Sequence, residues 1–144
     1  MISAFIDNDG GEGMTGEDRK NAFLYCKFRD EQFALYDEYA KRHGLLMKTL
    51  LVINILFYDA FYDRGGVTQA EICQRTFQSK QTVNLIVKNL LAEGSVTVER
   101  TPENRRSKIV RMTEAGCARY EKVIRHITWA EDTSCNLLNH CSAV

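Results

Sequence analysis

Lys80, Gln81, Thr82, Asn84 and Lys88 crowd into one short stretch, SKQTVNLIVKNLLAE, with no acid before Glu93. Cations, amides and a hydroxyl at this density suit recognition better than catalysis. They donate hydrogen bonds to phosphate oxygens and base edges, and a DNA major groove presents such acceptors in a sequence-dependent pattern. The bland alternative is a solvated helix face that happens to be basic. Catalytic arrangements are not written into the chain: no nucleophile–base pair, phosphate-cradling glycine loop or paired carboxylate stands out. The sequence implies no enzyme, no cofactor and no metal. Cys135, His140 and Cys141 with Asp132 match no closed metal-site spacing, and the Asp7-Asn8-Asp9-Gly10 run lacks the later ligands of a calcium loop.

The polar residues need a helix to aim them. Val83, Ile86, Val87, Leu90 and Leu91 follow the spacing of one buried helical face. Ser79 is placed to accept from a free backbone N–H of the first turn, and Gly94 to end the helix in a left-handed turn. The spacing therefore predicts a helix over 79–93 with its polar residues turned outward. Just upstream, Thr68-Gln69-Ala70-Glu71 spells a capping box, with Val67 and Ile72 as its hydrophobic staple. A short helix ending near Thr76, then Phe77-Gln78, leads into the polar helix. That is the helix-turn-helix arrangement.

After Gly94 the pattern changes period. Val96, Val98 and Arg100 alternate with Thr97 and Glu99, Thr101-Pro102-Glu103-Asn104 reads as a turn, and residues 108–112 alternate again. A hairpin with Arg105, Arg106 and Lys108 at its tip could reach phosphates or the neighbouring minor groove. Charge follows the same geography. The formal net charge is +0, yet residues 75–111 hold Arg75, Lys80, Lys88, Arg100, Arg105, Arg106, Lys108 and Arg111 against only Glu93, Glu99 and Glu103. This is the electrostatic footprint of a nucleic-acid contact.

The flanks supply support. With 144 residues, 44% of them hydrophobic and 26% charged, the chain suits one domain with a real core. Residues 1–20 are rich in glycine and acid and read as a flexible tail. A helix is expected from about Asn21 to His43, with Leu24, Phe28, Leu35 and Tyr39 among its apolar positions, and an apolar helix over 45–62. Thr113 should cap a last helix carrying Tyr120, Val123, Ile124 and Ile127 and reaching at least Ala130. Tyr36, Tyr39, Phe57, Tyr58 and Phe61 crowd the first two helices. They could line a pocket for a planar or phenolic small molecule, and core packing explains them equally well. The five cysteines are an odd, irregular set, so reduced thiols and a cytoplasmic setting are expected, without a membrane partner. Cys26 is a redox candidate by position alone, with a structural thiol the favoured reading, and Cys73 reads as a small core residue.

Three motifs in order, VTQAEICQR, SKQTVNLIVKNLLAEGSV and PENRRSKIVRMTEAG, resemble the multiple-antibiotic-resistance regulator (MarR) family of bacterial transcription factors. The resemblance covers roughly Tyr36 to Glu131. It implies a mainly α fold with a small β-hairpin wing, a winged helix-turn-helix with long N- and C-terminal dimerisation helices. The expected layout is a tail over 1–20 and a single domain over 21–144, with its core at 45–112 and dimerisation helices at 21–43 and 114–140. It further implies a homodimer bound to a pseudo-palindromic operator in double-stranded DNA, often answering to a small-molecule inducer. On this reading Ser79, Lys80, Gln81, Thr82, Asn84, Lys88, Arg105, Arg106 and Lys108 contact DNA. Two departures stand out. Asn104 replaces the Asp that usually braces the wing arginine, here Arg106. Asn84-Leu85 stands where Thr-Arg is common, which makes Asn84 the better base-reading candidate. The competing function is a winged-helix adaptor that binds protein and has lost specific DNA binding.

Overall fold

The structure is a computed structural model that describes residues 15–100, 102–103 and 107–142, the side chains of 129–131 and 133–142 excepted. It divides after Tyr39 into two compact units. The elements in order are α1 (Gly16–Arg42), α2 (Met47–Phe61), β1 (Val67–Thr68), α3 (Gln69–Thr76), α4 (Lys80–Ala92), β2 (Val96–Arg100), β3 (Lys108–Met112) and α5 (Glu114–Ser142).

Most of the first unit is α1. Residues 16–20, expected in the flexible tail, are instead its first turn. Thr15 and Asp18 close a reciprocal cap: the Asp18 N–H donates to Thr15 Oγ1 at 3.1 Å, and Thr15 donates to the Asp18 carboxylate from its backbone N–H at 2.8 Å and its hydroxyl at 2.6 Å. These bonds hold the Asp18 carboxyl below its ordinary range. The apolar positions anticipated at Phe28 and Leu35 are exposed, as are Phe23, Tyr25 and Phe33. Ala40 is the one residue of α1 that is buried among those described.

In the second unit α2 is apolar nearly all round, and Leu50, Val52, Ile53, Ile55 and Leu56 are all buried, as the sequence requires of a central helix. Ile72, Val83, Val87, Leu90, Val96, Val110 and Ile124 complete the core around it. The hairpin is antiparallel, pairing Val96 with Met112 through Arg100 with Lys108. One strand was not anticipated. Val67–Thr68 adds to the outer edge of β3, pairing Val67 with Val110, so the sheet order is β1-β3-β2. Val67 is therefore buried as a strand residue, while Thr68 still forms the expected capping box with Glu71. Asp59 fastens the loop before β1: its buried carboxylate accepts the Gly66 N–H at 3.0 Å.

The last helix docks through a glycine. The Gly116 Cα lies so close to the Ser95 carbonyl that a methyl group there would overlap the backbone. Thr113 caps α5 by accepting the Gly116 N–H at 3.0 Å, and its hydroxyl donates to the Gly94 carbonyl at 2.7 Å. The Thr-x-x-Gly spacing thus does two jobs, capping a helix and letting it approach the end of α4. Farther along, the Tyr58 and Thr128 hydroxyls share a hydrogen bond between α2 and α5. No single helix among the described residues is long and apolar enough to cross a membrane.

Candidate nucleic-acid interface

The polar helix is held at both ends by its own sequence. Ser79 is extended (φ −66°, ψ 153°), and its hydroxyl accepts the Thr82 N–H at 3.2 Å and pairs with the Thr82 hydroxyl at 2.8 Å. At the other end Gly94 takes φ +77°. Its N–H bonds the Leu91 carbonyl at 3.1 Å, and the Ser95 N–H bonds the Leu90 carbonyl at 3.0 Å. That crossed pair is the Schellman closure expected of a glycine in this place.

Val83, Ile86, Val87 and Leu90 are buried as anticipated, whereas Leu91 is 48% exposed and belongs to the rim of that face. Lys80, Gln81 and Lys88 are exposed, and Thr82 and Asn84 are half-buried. Ser79 and Thr82 spend part of their hydrogen-bonding capacity on the cap. The side chains of Lys80, Gln81, Asn84 and Lys88 make no hydrogen bond or ion pair with the described residues, leaving their donors available to a partner. Helical geometry then ranks them. The core face lies along Val83, Ile86, Val87 and Leu90, so the line farthest from it runs through Gln81, Leu85 and Lys88, four and three residues apart. Asn84 sits on the flank of that line. The sequence reading missed Leu85 as part of the outermost row, although the i, i+4, i+7 spacing was there to read.

The turn before α4 is tied to the body of the unit. Phe77 adopts the left-handed conformation (φ +54°) and its ring is 83% exposed. The Gln78 amide donates to the Lys48 carbonyl in the first turn of α2 at 3.0 Å, which fixes the approach to Ser79. On the hairpin Lys108 is half-buried at the start of β3. Arg111 of β3 and Glu99 of β2 approach to 4.0 Å. Arg105 and Arg106, the proposed wing contacts, and the Asn104 brace lie outside the described residues.

The other candidates fall in one or other of the two units. Tyr36 and Tyr39 are half-buried in the first unit, where burial raises the Tyr39 hydroxyl above its ordinary pKa. Phe57, Tyr58 and Phe61 are in the second unit. There Phe57 meets Tyr58 edge-on, with ring centroids 6.3 Å apart, Tyr58 stacks on Tyr62 at 6.3 Å, and Phe61 meets Tyr62 edge-on at 5.1 Å. Phe61 is exposed. Cys26 is exposed on α1. Cys73 is only half-buried. Cys117 is likewise half-buried, and burial, then Glu121 and Glu114, raise its thiol pKa.

Residues 59–107 match the MarR family. No protein of curated function matches the chain by sequence. Among solved structures, the chain is similar to AbsC, a MarR family transcriptional regulator from Streptomyces coelicolor, with 14% identity and a TM-score of 0.65 over 92% of this chain and 99% of that one. It is also similar to MepR, a transcription regulator of the Staphylococcus aureus multidrug efflux pump MepA, with 16% identity and a TM-score of 0.60 over 85% and 96%. A third likeness is to reduced AbfR bound to DNA, with 21% identity and a TM-score of 0.58 over 90% and 98%. At these identities the likeness is one of fold: a winged helix with long helices before and after it.

Proposed function

We propose, on the premise that residues 59–107 match the MarR family, that the protein is a sequence-specific DNA-binding transcriptional regulator, a repressor released by a small-molecule or stress signal. One observation carries the reading. α4 is rigidly capped at both ends, and its outward face presents Lys80, Gln81, Asn84 and Lys88 with their hydrogen-bonding groups uncommitted among the described residues. Donors fixed in place but left unpaired suit an acceptor-rich surface, and the basic stretch from Arg75 to Arg111 supplies the field that draws one in. The family's DNA complexes support the same direction, since AbfR and MepR are both solved with DNA.

The protein acts as a homodimer, so that two copies of α4 meet successive half-sites about one turn of duplex apart. Support comes from α1, whose Phe23, Tyr25, Phe28, Phe33 and Leu35 are exposed in a single chain. So many large apolar groups on one helix call for a covering surface, and a second copy provides one. The test is a mobility shift of the purified protein on duplex DNA from upstream of its own gene. A discrete complex that resists excess unrelated duplex supports the regulator. Absence of any retarded species at micromolar protein favours the adaptor reading instead.

A further inference from the structure

We propose that Leu85 reads the 5-methyl group of a thymine in the major groove, so that this protein selects its DNA partly by an apolar contact. The inference rests on the DNA-binding reading above and names a specificity-determining residue within it. Leu85 is 60% exposed on α4, in the middle of the outermost row between Gln81 and Lys88. Every residue three or four positions away from it (Gln81, Thr82, Lys88 and Asn89) is polar.

That isolation selects among partners. A protein-docking surface needs a contiguous apolar patch, and Leu85 has no apolar neighbour on its face of the helix. A single apolar side chain ringed by amides, a hydroxyl and a cation matches a surface that is itself polar apart from isolated methyl groups. The major groove edge of an A·T pair is such a surface. Thymine offers one methyl beside one acceptor, and its adenine partner offers the donor–acceptor pair that an amide such as Gln81 engages bidentately. Gln81 precedes Leu85 by about one helical turn, roughly 6 Å along the axis, which spans about two base-pair rises of about 3.4 Å each. The two residues therefore point to A·T pairs within one short stretch of each half-site. Lys88, a turn farther on, is placed to meet phosphate.

The test begins with selection of duplexes by the full-length protein from a randomised library. In the best-bound duplex each thymine is then replaced in turn by deoxyuridine, which removes the methyl and nothing else, and affinity is read by fluorescence anisotropy. One thymine per half-site should be sensitive, with affinity falling about fourfold, the factor for one methyl returned to water. In Leu85→Ala the same replacement should have no effect. Leu85 is exposed, so the variant should fold with an unchanged melting temperature, which a thermal scan checks. Insensitivity at every thymine, or sensitivity that persists in Leu85→Ala, overturns the proposal while leaving DNA binding intact. Failure of the selection to enrich any duplex defeats the DNA-binding reading itself, and the assignment of Leu85 with it.

Discussion

The Tyr120 hydroxyl donates to the Glu93 carboxylate at 2.7 Å and so joins the end of α4 to the first turns of α5. Glu93 is the C-cap residue of α4. The same oxygen accepts from Ser95 at 2.9 Å and from Arg119 at 3.0 Å. A helix proposed to read DNA is thereby latched to the helix proposed to set dimer spacing. Loosening the latch should disturb both stability and binding.

The latch has a pH signature. Burial pushes the Glu93 carboxyl upward, but the bonds from Tyr120 and Ser95 and the Arg119 charge outweigh it, leaving the group below its ordinary 4.5. A folded-state pKa below the unfolded value means stabilisation that is present above about pH 4.5 and lost as pH falls through the depressed value. Glu71, lowered first by the Thr68 backbone bond, behaves alike. Thermal melts from pH 6 to pH 3 should show a falling midpoint, with a shallower fall in Glu93→Gln. Tyr120→Phe at neutral pH should cost about 1–2 kcal/mol in urea unfolding. An identical pH profile in Glu93→Gln would remove this carboxylate from the account.

Gly116→Ala should destabilise the protein by about 1–3 kcal/mol, the cost of forcing atoms into a packed site. The added methyl would meet the Ser95 backbone, which cannot swing aside as a side chain could. Urea unfolding measures it. Ala118→Gly, at an exposed site on the same helix, is the control and should cost about 1 kcal/mol through helix propensity alone.

Ser79 separates folding from recognition. Ser79→Ala removes the acceptor for the Thr82 N–H and should lose about 1 kcal/mol of stability. Ser79→Asp retains an acceptor and adds a charge favoured at a helix N-terminus, so stability should hold. Its DNA affinity should nonetheless fall, because the new carboxylate would face phosphate. Equal affinity in Ser79→Asp and the parent would place this end of α4 away from the duplex.

Much of the fold was legible because its signals are local. Ser79 and Gly94 bounded α4 to within a residue, and Thr68 and Glu71 marked the start of α3. The Thr15-Gly16-Glu17-Asp18 cap was equally local, but glycine and acid around it suggested a tail and hid the helix start. Other features were not in the local pattern at all. β1 exists only because β3 offers it an edge more than forty residues later. Glu93 and Tyr120 are 27 residues apart, and neither residue type announces the other. Leu85 was visible but undervalued, since a leucine in a polar row reads as a missing arginine until exposure and helical position are known.

The proposed homodimer has its own test. Deleting residues 131–144 shortens α5 and should lower the dimer fraction in sedimentation and the DNA affinity together, because a palindrome is read cooperatively only when the two α4 helices are held in register. A shorter chain that remains fully dimeric and binds as before would assign the interface elsewhere.

The central claim is that the basic, uncommitted face of α4 and the hairpin beside it bind duplex DNA through its phosphates. The most direct measurement is the salt dependence of binding to the duplex obtained from selection, read by anisotropy across potassium chloride concentrations. Each neutralised phosphate contributes about −0.9 to the slope of log K against log salt. If several of Lys80, Lys88, Arg105, Arg106 and Lys108 meet phosphates on each of two subunits, the slope should be steeper than about −4. A slope near zero would contradict the account, since a complex indifferent to salt is not one held by phosphates.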